Sequence, residues 1–465
     1  MSAIIHFGTD GWRARLDGDF NEDNLVRVAD AAGSYFKQEY AAGAVYVGYD
    51  ARPQARAFAR IAAQVIAAHG LTVKLASRVS PTPAVSWAVA HDDDAVGALI
   101  ITGSHHPMDY LGCKFRIHDG GSGSQDVQDL IEDLIEPEPT QQRGPIQEVD
   151  VVEPYLEALC SMVDTHRIAA SGMRVVVDPM YGAATGYLAD MLKGMGIEVL
   201  QIHGEADENT EDMSPEPVEP WVDDCEQAVV EFGMHAGLVI DGDANRVGAV
   251  DEHGSYISTQ QIMSLLMGHL VKNRGMEGRV AMTLSASTLP RRVARALGLR
   301  VAIKPIGFKH IYSEMARGDV LLGSEESGGI GVGESLPERD AMLVALLLVE
   351  LIATTGKKLG ELVGELEETF GELCYIRKDI RMRPEAIEAL RTMLPGMNPP
   401  SIAGKEPVRV SHMDGLRLEF ADESWLLIRP SGTETLVRIY AEAPTKEERD
   451  ELIEEGVRLA RGSFI

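Results

Sequence analysis

VYVGYDARPQARAFARIAAQVIAAHGLTVKLA, residues 45–76, is the segment from which the architecture of this chain is read most directly. Apolar β-forming residues lead through a loop into an amphipathic helix, which ends at Gly70, and a second β-rich stretch follows. A glycine just past a helix, with a strand directly after it, is the usual end of a helix-to-strand turn. The segment therefore predicts a β-α-β unit.

The same order recurs twice along the chain, in RVVVDPMYGAATGYLADMLKGMGIEVLQI (174–202) and RVAMTLSASTLPRRVARALGLRVAIK (279–304). Their helix-ending glycines, Gly196 and Gly298, lie at domain-sized intervals from Gly70. Alternating strands and helices predict largely parallel sheets with crossover helices. We therefore predict an α/β protein with three similar domains of mixed or parallel sheets.

The remainder, from about residue 370, has a different pattern. CYIRKDIRM, GLRLEFA, SWLLIRP and TLVRIYAEA read as strands, with helices near 384–395 and 445–461, and they predict a smaller α+β domain. IEPEPTQQRGPIQEVD (135–150) is rich in Pro and Glu and is interpreted as a linker. The predicted domains are 1–150, 151–254, 255–368 and 369–465, a division that fits the length of 465 residues.

The net charge of −29 argues against a nucleic-acid partner, because phosphate backbones bind cationic surfaces. An anionic small molecule would need a local cluster of Arg and Lys. The four cysteines show neither metal-ligand spacing nor a disulfide framework, which favours a reducing cytoplasm. The beginning MSAIIHFGTDGWRA has no secretory pattern, and the apolar run 341–353 reads as a buried helix, so we expect no membrane association.

Each repeated unit is followed by a strand that ends in an unusual polar loop. The three segments are VGALIITGSHHP (96–107), AGLVIDGDANRVG (236–248) and DVLLGSEESGGIG (319–331). Ligands of α/β sheets bind beyond the carboxyl ends of strands. Three similar domains arranged round a centre would therefore direct these loops into one cleft.

Residue types in the loops permit several chemistries. Asp241, Asp243 and Asn245 offer oxygen ligands for a hard divalent ion, although such runs are more often plain turns. Ser104, between Gly and His, is read as a turn, a helix cap or a nucleophile, and no Gly-x-Ser-x-Gly elbow surrounds it. RPSGTET (429–435) combines an arginine fork with close backbone N–H groups, which suits either a loop or an anion cradle.

Taken together, the motifs resemble one known family. FGTDGWRA (7–14), TGSHHP (102–107), DGDANR (241–246), GSEESGG (323–329) and RPSGTE (429–434) are similar, in order and spacing, to the signatures of the α-D-phosphohexomutases. The resemblance spans essentially the whole chain. It implies three α/β domains and a smaller α+β domain in a heart-shaped molecule with a central cleft. It also implies an isomerase of carbohydrate metabolism, the phosphoglucomutase/phosphomannomutase type of intramolecular phosphotransferase.

The implied reaction interconverts hexose 1-phosphate and hexose 6-phosphate, of glucose and/or mannose, through a phosphoserine and a hexose 1,6-bisphosphate intermediate that also acts as activator. The implied catalytic residues are Ser104, Lys114, Arg13, Arg246 and His310. The implied substrate-binding residues are Thr9, Lys309, Glu325, Ser327, Arg429, Ser431, Gly432 and Thr433. The implied ligands of one Mg²⁺ are Ser104, Asp241, Asp243 and Asn245. Sugar phosphates are the expected partners, and a homodimer is possible.

Three positions depart from the family pattern. Gly103 replaces a more usual Ala, His106 replaces Asn, and Asn245 replaces the third metal Asp, from which we expect weaker Mg²⁺ binding. His106 either hydrogen-bonds the serine phosphate or caps the turn. The alternatives are a phosphoglucosamine mutase, whose loop usually carries Gln at position 326, and a catalytically impaired sugar-phosphate-binding paralogue. A serine-phosphate hydrolase is less favoured.

Overall fold

The computed structural model describes residues 5–8, 10–205, 210, 213–432 and 435–462. Four sheets organise the chain. Thr9 and Thr433, two of the predicted substrate-binding residues, lie outside the described residues. The predicted α/β architecture, with three similar domains and a smaller fourth, is confirmed. The exact domain boundaries stay predictions.

The first sheet is mixed and has six strands. Its strands are β1 Trp12–Arg15, β2 Ala44–Tyr49, β3 Thr72–Ala76, β4 Ala95–Ile101, β5 Tyr110–Ile117 and β6 Gln147–Val149. The accompanying helices are α1 Glu22–Tyr40, α2 Ala55–Ala67, α3 Thr82–Ala90 and α4 Gln125–Asp133. The spatial order is β1-β5-β4-β2-β3-β6, with β2, β3, β4 and β6 parallel. β6 lies inside the segment interpreted as a linker, where it pairs with the edge strand β3.

The second sheet has five strands in the order β11-β10-β9-β7-β8. These are β7 Arg174–Asp178, β8 Glu198–Gln201, β9 Ala236–Ile240, β10 Val247–Val250 and β11 Tyr256–Ile257. The helices are α5 Val152–Ser161, α6 Thr165–Ala170, α7 Tyr187–Gly194 and α8 Asp223–Glu231. Central β7 is parallel to β8 and β9, and β10 turns back antiparallel to β9.

The third sheet has four strands in the order β13-β12-β14-β15. These are β12 Arg279–Thr283, β13 Val301–Lys304, β14 Val320–Ser324 and β15 Ile330–Val332. The helices are α9 Thr259–Gly268, extended by a π-helical turn at His269–Asn273, then α10 Thr288–Ala296, α11 Phe308–Met315, α12 Ala341–Thr355 and α13 Leu359–Phe370. The apolar run of α12 is buried, as expected, and lies in a core cluster shared by the second and third domains.

The fourth sheet has five strands, all antiparallel, in the order β16-β20-β19-β18-β17. They are β16 Cys374–Arg381, β17 Arg409–Ser411, β18 Leu416–Glu419, β19 Trp425–Pro430 and β20 Leu436–Ala443, with helices α14 Pro384–Met393 and α15 Lys446–Ala460. A 3₁₀ turn follows α14 at Leu394–Gly396. No helix among the described residues combines the length and apolar character needed to cross a bilayer.

The three repeated units place their polar loops equivalently. Residues 102–109 join β4 to β5, residues 241–246 join β9 to β10, and residues 325–329 join β14 to β15. In each case a parallel strand ends in the loop and an antiparallel partner returns from it. The repeat inferred from the sequence therefore corresponds to a structural repeat.

Candidate active site

The polar loops of the first three domains and the fourth domain meet at a cavity of about 520 Å³. Its lining includes Ser104 from the first domain, Arg246 from the second, Glu325 from the third and Arg429 from the fourth. Ser327, Ser431 and Gly432 also line it, as does Arg13. The convergence expected from strand ends in three similar domains is present.

Ser104 has an unusual backbone conformation. Its φ of 51° lies in the left-handed region, which a residue with a side chain rarely adopts. Its backbone N–H donates to Thr102 Oγ1 at 2.7 Å, and its Oγ lies 3.4 Å from Asp241 Oδ2. The side chain is almost wholly buried, so the serine loop lies directly against the acidic loop.

Gly242 explains how closely the two loops approach. A Cβ at this position would lie 2.5 Å from the carbonyl oxygen of Ser104, so a larger residue would push the loops apart. Asp241 Oδ1 accepts backbone hydrogen bonds from Asn245 at 2.7 Å and from Arg246 at 2.8 Å. These bonds fix the acidic turn and leave Asp241 Oδ2 facing the serine hydroxyl.

Asp243 has one engaged and one unengaged oxygen. Its Oδ2 accepts from Thr82 Oγ1 at 2.6 Å and from Lys114 Nζ at 2.7 Å, whereas Oδ1 is buried with no hydrogen-bond partner among the described residues. Burial and the neighbouring charge of Asp243 raise the pKa of Asp241 to about 7. Burial opposes ionisation of Asp243 as well, but the Lys114 ammonium holds its pKa below the usual range.

The donor set fits one hard divalent cation. The unpartnered Asp243 oxygen, Asp241 Oδ2 and the Ser104 hydroxyl are oxygen donors of the type that Mg²⁺ prefers, and a cation would relieve the crowding of two buried carboxylates. With the amide of Asn245 oriented to satisfy its neighbours, its oxygen accepts from Lys114 Nζ at 2.8 Å. Among the described residues there is no cluster of three His, Cys, Asp or Glu that could hold a metal ion. The carboxylate ligands available to a cation here are therefore those of Asp241 and Asp243.

Lys114 connects this pair of loops to the rest of the cleft. The buried ammonium lies 3.0 Å from Asp10 Oδ2, and Asp10 in turn accepts from Arg339 at 2.7 Å. Arg339 also donates to Glu325 Oε2 at 3.2 Å. Burial of Asp10 is outweighed by Lys114 and Arg339, so its pKa stays well below the usual value. Lys114, Asp10 and Arg339 therefore form a continuous chain of buried charges. It joins the acidic loop of the second domain to Glu325, a predicted substrate-binding residue of the third.

Among the described residues, six arginines and five carboxylates line the cavity, so arginines are concentrated there although the chain as a whole is strongly acidic. These arginines come from all four domains: Arg13, Arg246, Arg339, Arg377, Arg429 and Arg438. In the fourth sheet, Asp379, Arg438 and Arg429 lie directly opposite one another on β16, β20 and β19. The local cluster of positive charge that an anionic substrate requires is therefore present.

Lys309 and His310, two of the predicted site residues, are not among the residues that line the cavity. Lys309 donates through Nζ to Gln125 Oε1 of the first domain, and its neighbour His310 is half-buried. Burial lowers the pKa of both side chains. The catalytic role of His310 stays a prediction.

His106, the departure from the family pattern, lies in the turn after Ser104. Its backbone N–H donates to Gly103 O at 3.1 Å, and its ring lies between His105 and Tyr110, at centroid distances of 4.7 and 5.2 Å. Burial and the nearby Arg13 charge lower its pKa to about 3, so the ring is neutral near pH 7. These contacts are those of a turn-packing side chain.

Sequence reasoning missed several cleft residues. Asp10 lay inside the quoted motif FGTDGWRA but received no role, and Arg339 precedes α12 without a motif of its own. Arg377 and Asp379 alternate along β16, a period-two signal that would have placed them on one face of a strand. Arg52 follows β2 and likewise belongs to no motif.

The fold and site define an α/β enzyme that handles small phosphorylated molecules at the junction of four domains. Residues 5–142, 153–254 and 258–370 match the models of alpha/beta/alpha domains I, II and III of phosphoglucomutase/phosphomannomutase, and residues 376–459 match its C-terminal domain. The chain belongs to the phosphoglucomutase/phosphomannomutase family. Its members are phosphohexomutases, and so is this protein.

Similarity to individual members extends over the full length. The chain is 34% identical to a protein from Thermus thermophilus assigned as a phosphomannomutase, covering 99% of this chain and 100% of that one with a TM-score of 0.88. It is 28% identical to a phosphoglucomutase/phosphomannomutase of Thermococcus kodakarensis, covering 97% and 98% of the two chains. A phosphoglucosamine mutase of Carboxydothermus hydrogenoformans is 29% identical, with 97% of each chain covered.

Proposed function

We propose that this phosphohexomutase interconverts the 1- and 6-phosphates of glucose and/or mannose with Ser104 as the phosphoryl carrier. The observation that carries the proposal is the position of Ser104 Oγ, 3.4 Å from Asp241, in a cavity that Arg429 and Ser431 also line. A phosphoserine at this position would face a substrate whose other phosphate is held by the fourth domain.

The phosphoryl group would move from phosphorylated Ser104 to a free hydroxyl of the hexose monophosphate, giving the hexose 1,6-bisphosphate. The bond from phosphorus to Ser104 Oγ breaks as the bond to the substrate oxygen forms. The substrate hydroxyl loses its proton and Ser104 Oγ gains one, so the serine is left as a free hydroxyl. After the bisphosphate reorients, its other phosphoryl group returns to Ser104 and the isomeric monophosphate is released. Such transfers depend chiefly on positioning and on charge stabilisation.

Residues of this chain supply both requirements. Lys114, 2.7 Å from Asp243 Oδ2, places a cation beside the acidic loop and would stabilise the charge that develops on the serine oxygen. Asp241, Asp243 and the serine oxygen would hold Mg²⁺, which neutralises phosphoryl charge when bound. Arg13 and Arg246 line the cavity near the reacting phosphate, and no step is assigned to His310.

Substrate recognition would be divided between two domains. Glu325, positioned by Arg339, and Ser327 would accept and donate hydrogen bonds to sugar hydroxyls. Arg429, Ser431 and Gly432 would hold the phosphate that is not reacting, the role we also propose for Thr433, with Thr9 and Lys309 as further substrate contacts. Because the bisphosphate must present either end to Ser104, the same arginine-rich wall would serve both orientations.

Sugar preference, compartment and assembly are parts of the proposal. Glucose and mannose are favoured over glucosamine because position 326 is Glu rather than Gln. A cytoplasmic enzyme fits the four cysteines, which are all free thiols. We leave the homodimer as a prediction for sedimentation analysis.

The decisive experiment follows glucose 1-phosphate, mannose 1-phosphate and glucosamine 1-phosphate with Mg²⁺ and a trace of hexose bisphosphate. Formation of the 6-phosphate supports the mutase, release of inorganic phosphate supports a hydrolase, and binding without turnover supports an impaired paralogue. Phosphorylation of Ser104 should raise the intact mass of the protein by one phosphoryl group. Ser104→Ala should abolish both turnover and this mass increase. Ser161→Ala, on the exposed face of α5, is the matched control and should change neither.

A further inference from the structure

Arg52, in the loop between β2 and α2, is a buried side chain that contacts the serine loop only through backbone atoms. Its Nη2 donates to the carbonyl oxygens of Ser104 at 2.8 Å and His106 at 2.5 Å. Its Nη1 donates to those of Pro107 at 2.5 Å and Tyr110 at 3.0 Å. One guanidinium thus satisfies three carbonyls of the serine loop and the carbonyl of Tyr110 at the start of β5, an arrangement that suits the planar fork of arginine.

Asp50, two residues earlier, holds the other side of the same turn. Its Oδ2 accepts from Thr102 Oγ1 at 2.7 Å and from the backbone N–H of Gly103 at 3.1 Å. The same oxygen lies 3.3 Å from Arg52 Nε. Thr102 Oγ1 in turn accepts from the backbone N–H of Ser104. The Asp50–Arg52 pair therefore contacts the loop immediately before and immediately after the serine.

Gly103 leaves the room that the Arg52 guanidinium occupies. A Cβ on Gly103 would lie 2.4 Å from Arg52 Cζ and 2.6 Å from its Nε, distances that real Cβ atoms do not show. The end of an arginine is normally flexible enough to move aside, but this one would have to give up its four carbonyl contacts. An alanine at position 103 does not fit while Arg52 keeps its position.

We infer that Arg52, assisted by Asp50, is the positioning residue that fixes the left-handed backbone of Ser104 and so aims its hydroxyl into the cleft. Gly103 is the small residue that makes room for it. This inference rests on the proposed function for its catalytic consequence. Arg52 is not a catalytic residue in this scheme, because it contacts backbone carbonyls and not the reacting atoms.

The first test replaces Arg52 by Lys, which keeps a positive charge but not the planar fork. We expect kcat to fall at least tenfold, with the KM for hexose 1-phosphate within twofold of wild type, because the serine is misaimed while the substrate wall is intact. Hydrogen–deuterium exchange of amides 102–111 should accelerate at least tenfold. Arg56→Lys, on the exposed surface of α2, is the control and should leave both measurements unchanged.

The second test uses Gly103→Ala, which leaves Arg52 in the chain and covers the case in which the Lys variant does not fold. We expect the same loss of kcat and the same faster exchange. In the double variant with Arg52→Lys, Gly103→Ala should lower kcat by less than a further twofold. The lysine ammonium is smaller than the guanidinium and no longer fills the volume next to position 103. Independent, multiplicative effects in the double variant would overturn the link between the two positions.

The outcomes separate this inference from the proposed function. Unchanged kcat and unchanged exchange in Arg52→Lys or in Gly103→Ala would overturn the positioning role. A wild-type protein without mutase turnover would overturn the proposed function, whereas the exchange rates of amides 102–111 would still test whether Arg52 holds the loop.

Discussion

Glu442 provides the sharpest test of how the fourth domain is attached. This fully buried carboxylate on β20 accepts from Thr288 N at 2.7 Å, from Trp425 Nε1 at 2.8 Å and from Ser287 Oγ. Ser287 and Thr288 begin α10 of the third domain, whereas Trp425 belongs to the fourth. Glu442→Ala would therefore remove an acceptor shared by both domains.

The expected loss follows from the three donors. A hydrogen bond to a charged group contributes about 1.5–3 kcal/mol, and a buried donor left without a partner costs its full desolvation penalty. Partial relaxation and entry of water reduce the sum, so we expect Glu442→Ala to lower the free energy of unfolding by about 4 kcal/mol. Glu442→Gln, which retains one acceptor oxygen, should lose about half as much.

Urea unfolding, followed by tryptophan fluorescence and by circular dichroism, measures this effect. We expect the fluorescence transition of Glu442→Ala to precede the dichroism transition, because Trp425 is exposed when the fourth domain detaches. The KM for hexose 1-phosphate should rise, since Arg429 and Ser431 move with that domain. Glu454→Ala, exposed on α15, is the control. Coincident transitions within about 0.5 kcal/mol of wild type would refute the reasoning, since distant surface changes have effects of that size.

Three further predictions concern the loops and their supports. Tyr440→Phe removes a 3.2 Å hydrogen bond to Glu326 across the same interface. We expect the free energy of unfolding in urea to fall by about 1 kcal/mol and the KM to rise. A KM equal to that of wild type would contradict this prediction. Burial raises the pKa of Asp340 to about 6 from 3.8, so stability falls by about 3 kcal/mol as pH rises from about 4 through 6, and Asp340→Asn should flatten that part of the pH profile of unfolding. Asn245→Asp adds a carboxylate at the proposed cation site, and calorimetric titration should show about tenfold tighter Mg²⁺ binding, or about 1.4 kcal/mol, whereas an unchanged affinity would count against that site.

The fold was accessible from the sequence because its signals are local. Strand, helix and terminal glycine recur within about thirty residues at 45–76, 174–202 and 279–304, and each of the first three domains repeats the same β-α-β unit. The strand-end loops followed from the same periodicity. Within the linker interpretation the short strand Gln147–Val149 was missed, because three residues at a sheet edge carry no detectable alternation.

The site was predictable where a motif coincided with a strand end, and not elsewhere. Ser104, Asp241 and Glu325 lie in such loops and face the same cleft or its floor. Lys309 was assigned to the substrate contacts from the family resemblance; in the structure it donates to Gln125 of another domain, and its role stays a prediction. Arg52 was invisible to the same reasoning, because its importance depends on which backbone carbonyls the fold brings within reach of its guanidinium.

The contrast between the charge of the chain and that of its cleft also has a structural answer. Several cleft arginines are paired with a nearby carboxylate: Arg429 with Asp414 at 2.9 Å, Arg246 with Glu216 at 3.2 Å, and Arg339 with Asp10. Like charges at this density would repel one another, and the carboxylates offset that repulsion while fixing the direction of each guanidinium. A substrate must compete with these carboxylates for the arginine side chains. A phosphate dianion competes better than a neutral sugar. We therefore expect the acidic residues to raise the selectivity of the cleft for phosphorylated hexoses over free hexoses.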